Sequence, residues 1–178
     1  MKKPIDFQSI ELTNDMMFCT VLQEPGLCRE FLQRVLGIEI QELTLTQAQQ
    51  NMKAGVYSKG IRLDIYAKDV SGNVYDIEMQ KLDTKELDLR SRYYHSEMDS
   101  HQIYEGQGYK DMKESVVIFV CDFDLFQKGR SVYTFESVCR EDLAIRLNDR
   151  RKTVFVNIRG KRDGIPTDLV KLLDYLQS

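Results

Sequence analysis

Apolar and polar positions alternate along the chain with two different periods, and the change of period separates predicted helices from predicted strands. Near the start, Thr13 or Asn14 precedes a short apolar run that continues to Leu22, and Pro25 opens a second amphipathic run that stops at Gly37. Proline in a first turn and glycine just past a last turn are typical of helix ends. We therefore predict two helices, one ending near Leu22 and one between Pro25 and Gly37.

The next part of the chain has the period of two that strands show. Residues 42–47 (ELTLTQ) form one alternating run, and the polar stretch at 51–60 predicts a loop. Two further runs, 62–68 (RLDIYAK) and 73–80 (NVYDIEMQ), flank a turn at Ser71-Gly72-Asn73. This arrangement predicts a β-hairpin.

The second half begins with a long helix, predicted from about Thr84 to Tyr104 with Asp83 and Glu86 as its capping box. The run VVIFVCDF that follows is continuously apolar and rich in β-branched residues, which predicts a central strand covered on both faces. SVYTFESV and TVFVNIR are further strand-like runs, and Thr167 caps a last amphipathic helix. The order α-α-β-β-β-α-β-β-β-α predicts an α/β fold in which helices flank a mixed sheet.

Composition narrows the classes of protein. With 178 residues, of which 42% are hydrophobic and 30% charged, we expect one domain (1–178) with its own core. No apolar run approaches the roughly 18 residues of a bilayer span and none follows the N-terminal lysines, so we expect no membrane segment, no signal peptide and a cytoplasmic location. The four widely spaced cysteines predict buried thiols. The sequence ends on an amphipathic helix, and this ending is also what we expect of a domain that is truncated at its C-terminus.

The predicted hairpin has one apolar and one polar face, because alternate residues of a strand point to opposite sides. The polar face collects Arg62, Asp64 and Tyr66 from the first strand and Asp76, Glu78 and Gln80 from the second. Only a turn of odd length brings the two sets to the same side, and a three-residue turn meets that condition. The expected cross-strand neighbours are Lys68 with Val74, Tyr66 with Glu78, and Asp64 with Gln80.

This hairpin predicts that the carboxylates of Asp64 and Glu78 lie close together. Like charges repel at short range unless a proton or a cation lies between them. Oxygen ligands, which here include the backbone carbonyl of Met79, suit Mg²⁺ or Mn²⁺, and such an ion can activate a water for attack on a phosphodiester. The alternative is a polar face that simply meets solvent, which is common in antiparallel hairpins.

The segment RLDIYAKDVSGNVYDIEMQ resembles the PD-(D/E)xK nuclease family transposases, also called recombination-promoting nucleases. In that family a strand with an aspartate is followed by a turn and a strand that ends in Ile-Glu-x-Gln. Other stretches resemble the family in the same order, namely LTNDMMFCTVL, RSRYY, and Gly106 to Tyr109 leading into VVIFVCDF. The resemblance implies a restriction-endonuclease-like fold and DNA cleavage that depends on a divalent metal, and we expect low sequence specificity.

The resemblance also implies roles for residues of the hairpin. Asp64 and Glu78 are the expected ligands of Mg²⁺ or Mn²⁺, and Gln80 completes the catalytic set where the wider superfamily usually has lysine. Glutamine offers hydrogen bonds but no positive charge to the attacking water and the phosphate. A nuclease-fold domain that binds nucleic acid or a partner without cleaving therefore remains an alternative function. RNA also remains open as a substrate, since catalytic carboxylates do not read the 2′-OH.

Four further residues have both a functional and a structural interpretation. Asp15 is either an acid that the N-terminal helix contributes to the site or an ordinary first-turn acid that favours the helix dipole. Arg62, Arg90 and Tyr94 are candidate phosphate contacts. Leu87, Arg90, Tyr94 and His101 form a stripe that faces the hairpin, although Arg90 and Tyr94 are explained equally well as ordinary helix residues with buried stems.

Basic residues are densest around the TVFVNIR strand, at Arg146, Arg150, Arg151, Lys152, Arg159, Lys161 and Arg162. They are either contacts to a DNA backbone or solvated loops. The net charge of −3 does not decide between them. His95 and His101 lie on opposite sides of the long helix and are predicted at the surface, and a homodimer is a candidate assembly because enzymes of this class often act as dimers.

Overall fold

The computed structural model describes residues 15–45, 50–52 and 61–177, and it describes side chains for 17–45 and 63–177. The described chain opens with two helices, α1 (Asp15–Leu22) and α2 (Pro25–Leu36). Pro25 lies in the first turn of α2, and Gly37 follows its last residue with a φ of 66°. The two helices predicted from the N-terminal pattern are thus confirmed.

Within the described ranges, eight strands and two further helices follow. They are β1 (Leu43–Leu45), β2 (Gln50–Met52), β3 (Ile61–Leu63), β4 (Ile65–Asp69), β5 (Val74–Gln80), α3 (Leu87–Ser100), β6 (Ser115–Cys121), β7 (Val132–Phe135), β8 (Arg151–Asn157) and α4 (Thr167–Gln177), with a 3₁₀ turn at Tyr109–Asp111. Six strands form one sheet in the order β1-β4-β5-β6-β8-β7, and β2 pairs with β3 separately. Because β5, β6 and β8 are parallel and the outer pairs antiparallel, the sheet is mixed. The sheet and its flanking helices confirm the predicted α/β, restriction-endonuclease-like fold.

Both faces of the sheet carry a hydrophobic core. On β6, one face consists of Val116, Ile118 and Val120 and the other of Val117, Phe119 and Cys121, all of them buried. The first set packs with residues of α1, α2 and α4, and the second packs beneath α3. Since β6 is paired on both sides and covered on both faces, it is the interior strand that its apolar run predicted.

The long helix is shorter than predicted and begins without the expected capping box. Asp83 accepts a hydrogen bond from the Lys85 backbone N–H at 2.8 Å and also pairs with the Lys85 ammonium group, while Glu86 makes no capping bond with its side chain. Lys85 has a positive φ of 60°, so the helical backbone starts only after it. The capping box is therefore a wrong prediction, because Asp83 is already engaged by Lys85.

Three further expectations concern the loop at 51–60, the cysteines and membrane-spanning segments. The loop predicted at 51–60 begins as strand β2, and residues 53–60 lie outside the described part. Cys19, Cys28 and Cys121 are buried, as predicted, and Cys139 is half-buried. No helix in the described ranges is both long and apolar enough to cross a membrane.

Candidate active site

The β4–β5 hairpin positions the acidic residues, with a register that differs from the prediction. The three expected pairs do not belong to one register, and the structure keeps the pair of Lys68 with Val74 while Tyr66 lies opposite Asp76 rather than Glu78. The reason is the turn, which falls one residue earlier than predicted. The Asp69 N–H donates to the Asn73 carbonyl at 3.0 Å, so residues 70–72 form a three-residue turn.

This shift of two residues leaves the sidedness of the strands intact, because alternation has a period of two. Asp76, Glu78 and Gln80 therefore share one face of β5, as predicted. The predicted pairing of Asp64 with Gln80 is wrong, since Asp64 instead meets Glu78. The backbone N–H of Asp64 donates to Glu78 Oε1 at 3.1 Å.

Asp64 lies in a bend between β3 and β4 rather than inside a single long strand. The bend interrupts the alternation that the sequence predicted. Leu63 and Tyr66 both pack beneath α3, whereas Ile65 packs in the opposite core. The prediction that Leu63 and Ile65 share one face is thus wrong, although the Asp64 carboxylate still acts electrostatically on Glu78.

Most of the polar face of β5 is buried beneath α3, and only Gln80 at the end of the strand is partly exposed. Asp76 is 0% and Glu78 2% exposed, while Asp64 and Gln80 are half-buried. The alternative of a solvated polar face is therefore wrong for Asp76 and Glu78. Because an isolated buried carboxylate is costly, these groups require counter-charges or protons.

Arg90 of α3 supplies the positive charge at this site. Its Nη2 donates to Glu78 Oε2 at 3.0 Å and to Tyr94 Oη at 2.9 Å, and its Nη1 donates to Gln80 Oε1 at 3.1 Å. The guanidinium carbon also lies 5.3 Å from the centre of the Tyr94 ring and 5.6 Å from that of Phe119, which is cation–π geometry. The sequence placed Arg90 and Tyr94 near the hairpin as phosphate contacts. In the structure both belong to the cluster, where Arg90 binds Glu78 and Gln80 directly.

The acids at the site hold protons more firmly than ordinary carboxyl groups. Burial, with a further contribution from the Asp64 charge, raises the pKa of Glu78 to about 8 against the opposing effects of the Asp64 N–H and Arg90. Burial also raises the pKa of Asp76 well above its usual range, with the charges of Glu78 and Asp64 adding to the effect. Both oxygens of Asp76 lack a hydrogen-bond partner among the described residues. The sequence placed Asp76 on this face but gave it no role.

The donor set fits a hard divalent cation, since it consists of carboxylate oxygens with too little positive charge around them. In the described part, however, no three His, Cys, Asp or Glu side chains already converge as a metal-binding cluster. Each oxygen of Glu78 also accepts one bond, Oε1 from Asp64 and Oε2 from Arg90. The site is therefore closed by its own arginine, and ligation by Glu78 requires that Arg90 withdraw or share Oε2.

The remaining candidates have different outcomes. Asp15 begins α1 and Arg62 lies in β3, but their side chains lie outside the described part of the chain. His101 is exposed, as predicted for a surface histidine, so it does not extend the stripe formed by Leu87, Arg90 and Tyr94.

His95 contradicts its predicted surface position, because it is 1% exposed. Its Nδ1 lies 2.6 Å from Ser115 Oγ, and its Nε2 lies 3.0 Å from Thr153 Oγ1. Burial, with a smaller contribution from the charge of Arg151, lowers the pKa of His95 to about 4. Its position directly after Tyr94 and four residues after Ser91, both on the buried face of α3, was the signal available in the sequence.

Strand β8 divides the basic segment into two groups at opposite ends of the sheet. Arg146, Arg150, Arg151 and Lys152 lie before or at the start of β8, and Arg159, Lys161 and Arg162 lie after its end. Cys121 of β6 neighbours both Gln80 of β5 and Asn157 of β8. The second group therefore lies at the edge of the sheet where Gln80 ends β5. A contribution of either group to DNA binding stays a prediction.

Comparison with known proteins places the chain in a family. The family model of the PD-(D/E)XK nuclease family transposases matches residues 15–165, a range that includes the hairpin acids, Gln80 and Arg90. Among curated proteins, none matches this sequence. Nucleases of the PD-(D/E)XK type generally use divalent metals, and the family implies a DNA substrate. This chain belongs to the PD-(D/E)XK nuclease family transposases.

Proposed function

We propose that this protein is an endonuclease of the recombination-promoting type that hydrolyses DNA phosphodiesters with Mg²⁺ or Mn²⁺ and low sequence specificity. Asp64 and Glu78 are its proposed metal ligands, and Gln80 its third catalytic residue. The observation that carries the proposal is the buried cluster on the β4–β5 hairpin, where Glu78 meets Asp64 on one side and Arg90 on the other. A purely structural hairpin has no need to bury these charges.

A bound divalent cation supplies an activated water and a Lewis acid at the scissile phosphate. Asp64 and Glu78 hold and orient that cation from the bend and from β5. Gln80 has its Oε1 engaged by Arg90 Nη1, so its amide hydrogens are the groups it can offer to a phosphate oxygen. Gln80 therefore positions the phosphate by hydrogen bonding, without adding charge.

Arg90 has a second task in this proposal. The guanidinium neutralises Glu78 while no cation is bound, and its planar fork also matches a phosphate group. With a divalent cation held by Asp64 and Glu78, Arg90 would be free to bind the scissile phosphate instead of Glu78. Tyr94, which already accepts from Arg90, guides that movement through its hydroxyl.

The experiment is cleavage of supercoiled plasmid DNA with Mg²⁺ or Mn²⁺, with single-stranded RNA in parallel. Asp64→Ala and Glu78→Gln should lower the rate by about 100-fold or more, because a lost metal ligand removes several kcal/mol of transition-state stabilisation. Glu105→Gln is the matched control, since Glu105 is exposed and lies outside the hairpin. Unchanged cleavage by Asp64→Ala would remove this site from the proposal.

A second candidate function is a binding module that retains the nuclease fold without cleavage. It is favoured by the bond between Arg90 and Glu78 and by the absence of lysine at Gln80. Binding of a fluorescent DNA duplex by a protein that neither cleaves any tested DNA nor binds Mn²⁺ would establish this alternative. Binding with cleavage would exclude it.

A further inference from the structure

Asp76 is the least satisfied polar side chain at the site. It is 0% exposed, and neither of its oxygens has a hydrogen-bond partner among the described residues. On β5 it lies two residues before Glu78 and on the same face, opposite Tyr66 of β4 and beside Val117 of β6. It therefore lies deeper in the sheet than Glu78, beneath α3.

A buried carboxylate without partners is costly, and natural sequences retain one only where something compensates for it. Neighbouring positions show that this surface accepts apolar residues, since Val74 precedes Asp76 on the same face and Val117 lies beside it, both buried. An apolar side chain at position 76 would avoid the cost. The aspartate therefore indicates a requirement for a carboxyl group that can become negatively charged.

The charges near Asp76 do not balance. Asp64, Asp76 and Glu78 act electrostatically on one another, and Arg90 is the cation that acts on both Asp76 and Glu78. Three carboxylates and one guanidinium leave a surplus of two negative charges when all are ionised, which equals the charge that one divalent cation would neutralise. The hydrogen bonds of Arg90 go to Glu78, Gln80 and Tyr94, and none goes to Asp76.

We infer that Asp76 is a third acidic residue of the cation site, which lies behind Glu78 and strengthens binding of a divalent cation through its charge. The inference rests on the proposed function, since it requires a cation at Asp64 and Glu78. Asp76 is a positioning residue and not a direct ligand, because no three acids of the described part converge on one point. Its charge acts over a short distance in a poorly screened interior, where electrostatic interactions are stronger than in water.

The test measures Mn²⁺ binding by the electron paramagnetic resonance of free Mn²⁺, without any substrate. Asp76→Asn keeps the shape of the side chain and removes its charge, so we expect about tenfold or more weaker binding together with a higher melting temperature in metal-free buffer. Glu97→Gln is the burial-matched control, because Glu97 is 3% exposed on α3 but lies about two turns beyond Arg90. It should bind Mn²⁺ as the wild type does.

Glu78→Gln separates the inference from the proposed function. If Glu78→Gln loses Mn²⁺ binding while Asp76→Asn binds like the wild type, Asp76 has no part in the site and the proposed function stands. If Glu78→Gln also binds like the wild type, the cation site itself is wrong and both proposals fail.

A second measurement does not depend on the stability of Asp76→Asn. Terbium(III) prefers oxygen ligands and emits when a nearby excited tyrosine transfers energy to it, and the chain contains no tryptophan. Tyr66 faces Asp76 across the strands, so Tyr66→Phe should weaken the emission of bound terbium as strongly as Tyr94→Phe does. Exposed Tyr109 supplies the control Tyr109→Phe. Emission that depends on Tyr94 but not on Tyr66 would place the cation away from Asp76 and overturn the inference.

Discussion

Helix α3 covers two buried polar clusters, one toward each end, and they are built on different principles. Toward its start, Arg90 meets Glu78, Gln80 and Tyr94. Further along, His95 lies between Ser115 and Thr153. Both clusters lie against the same face of the sheet, and both bury groups that water would otherwise solvate.

The two clusters differ in how completely their buried polar groups are paired by hydrogen bonds and opposite charges. Each ring nitrogen of His95 has a hydroxyl partner, and its lowered pKa keeps the ring neutral near pH 7. The Arg90 cluster keeps a surplus of acid, and the oxygens of Asp76 lack hydrogen-bond partners. The His95 cluster therefore needs no ligand, whereas the surplus acid of the Arg90 cluster is what the proposed cation would neutralise. Four predictions test this contrast.

The largest expected effect is that of Arg90→Gln on stability in metal-free buffer. Above about pH 8, where Glu78 is ionised, removing the guanidinium leaves Glu78 buried without its charge partner, and breaking a buried pair in this way typically costs about 3 to 5 kcal/mol. Urea denaturation with and without Mn²⁺ measures the effect, and Mn²⁺ should recover more stability in this variant than in the wild type. Arg92→Gln, at an exposed position on the same helix, is the control. An equal gain from Mn²⁺ in both variants would contradict a role for Arg90 as the internal counter-charge.

The second prediction concerns pH, because the two clusters respond in opposite directions. His95 has a folded pKa of about 4 against an ordinary value of 6.5, so the unfolded chain binds a proton first and stability falls as pH drops from about 6.5 to 4. This loss amounts to at most about 3 kcal/mol. Glu78 has a folded pKa of about 8 against 4.5, so metal-free stability falls as pH rises through that range. Denaturation midpoints of wild type, His95→Gln and Glu78→Gln across pH 4 to 9 measure both limbs. His95→Gln should flatten the limb below pH 6.5, and Glu78→Gln should reduce the slope of the other limb, to which Asp76 also contributes through its raised pKa.

The third prediction is that His95→Gln lowers stability by about 2 kcal/mol, because Ser115 and Thr153 lose part of their buried hydrogen bonding. Mn²⁺ should stabilise this variant by the same amount as the wild type. The exposed His101→Gln serves as the comparison and should change little. A Mn²⁺ response specific to His95→Gln would show that the two clusters are coupled.

The smallest expected effect is that of Gln80→Lys on cleavage. The introduced ammonium adds charge beside the phosphate, and a gain of about 1.4 kcal/mol in the transition state corresponds to tenfold in rate. It also replaces the acceptor of Arg90 with a like charge and competes with the cation. We therefore expect a faster rate at saturating Mg²⁺ and a slower one at low Mg²⁺, with Gln80→Met as a neutral control. Inertness of the lysine variant at every concentration, beside an active wild type, would mean that the amide itself is required.

The elements set by local pattern were predictable from the sequence. The continuous apolar run specified β6 as an interior strand, and the proline and glycine marked the ends of α2. The common face of Asp76, Glu78 and Gln80 followed from alternation, which survives a register error of two residues.

Three features of the structure could not be predicted from the sequence, because they depend on how separate segments of the chain pack together. The bend at Asp64 interrupts the alternation of side chains between the two faces of the strand, and no glycine or proline at this position indicates such a bend. The burial of His95 depends on Thr153, which lies 58 residues away in the chain. The bond from Arg90 to Glu78 requires α3 to lie across the strand ends, which periodicity indicates but does not fix.

The separations of these contacts along the chain also bear on the order in which the molecule assembles. The bonds that close the Arg90 cluster join residues 10 to 14 apart, so they form with a small loss of chain entropy. Short-range contacts of this kind are also associated with rapid folding. The segment from β4 to α3 can therefore gather its acids before β8 joins the sheet, while Glu78 and Asp76 are still open to water. If Asp64 and Glu78 bind a cation as proposed, that cation would meet the fewest barriers during this interval.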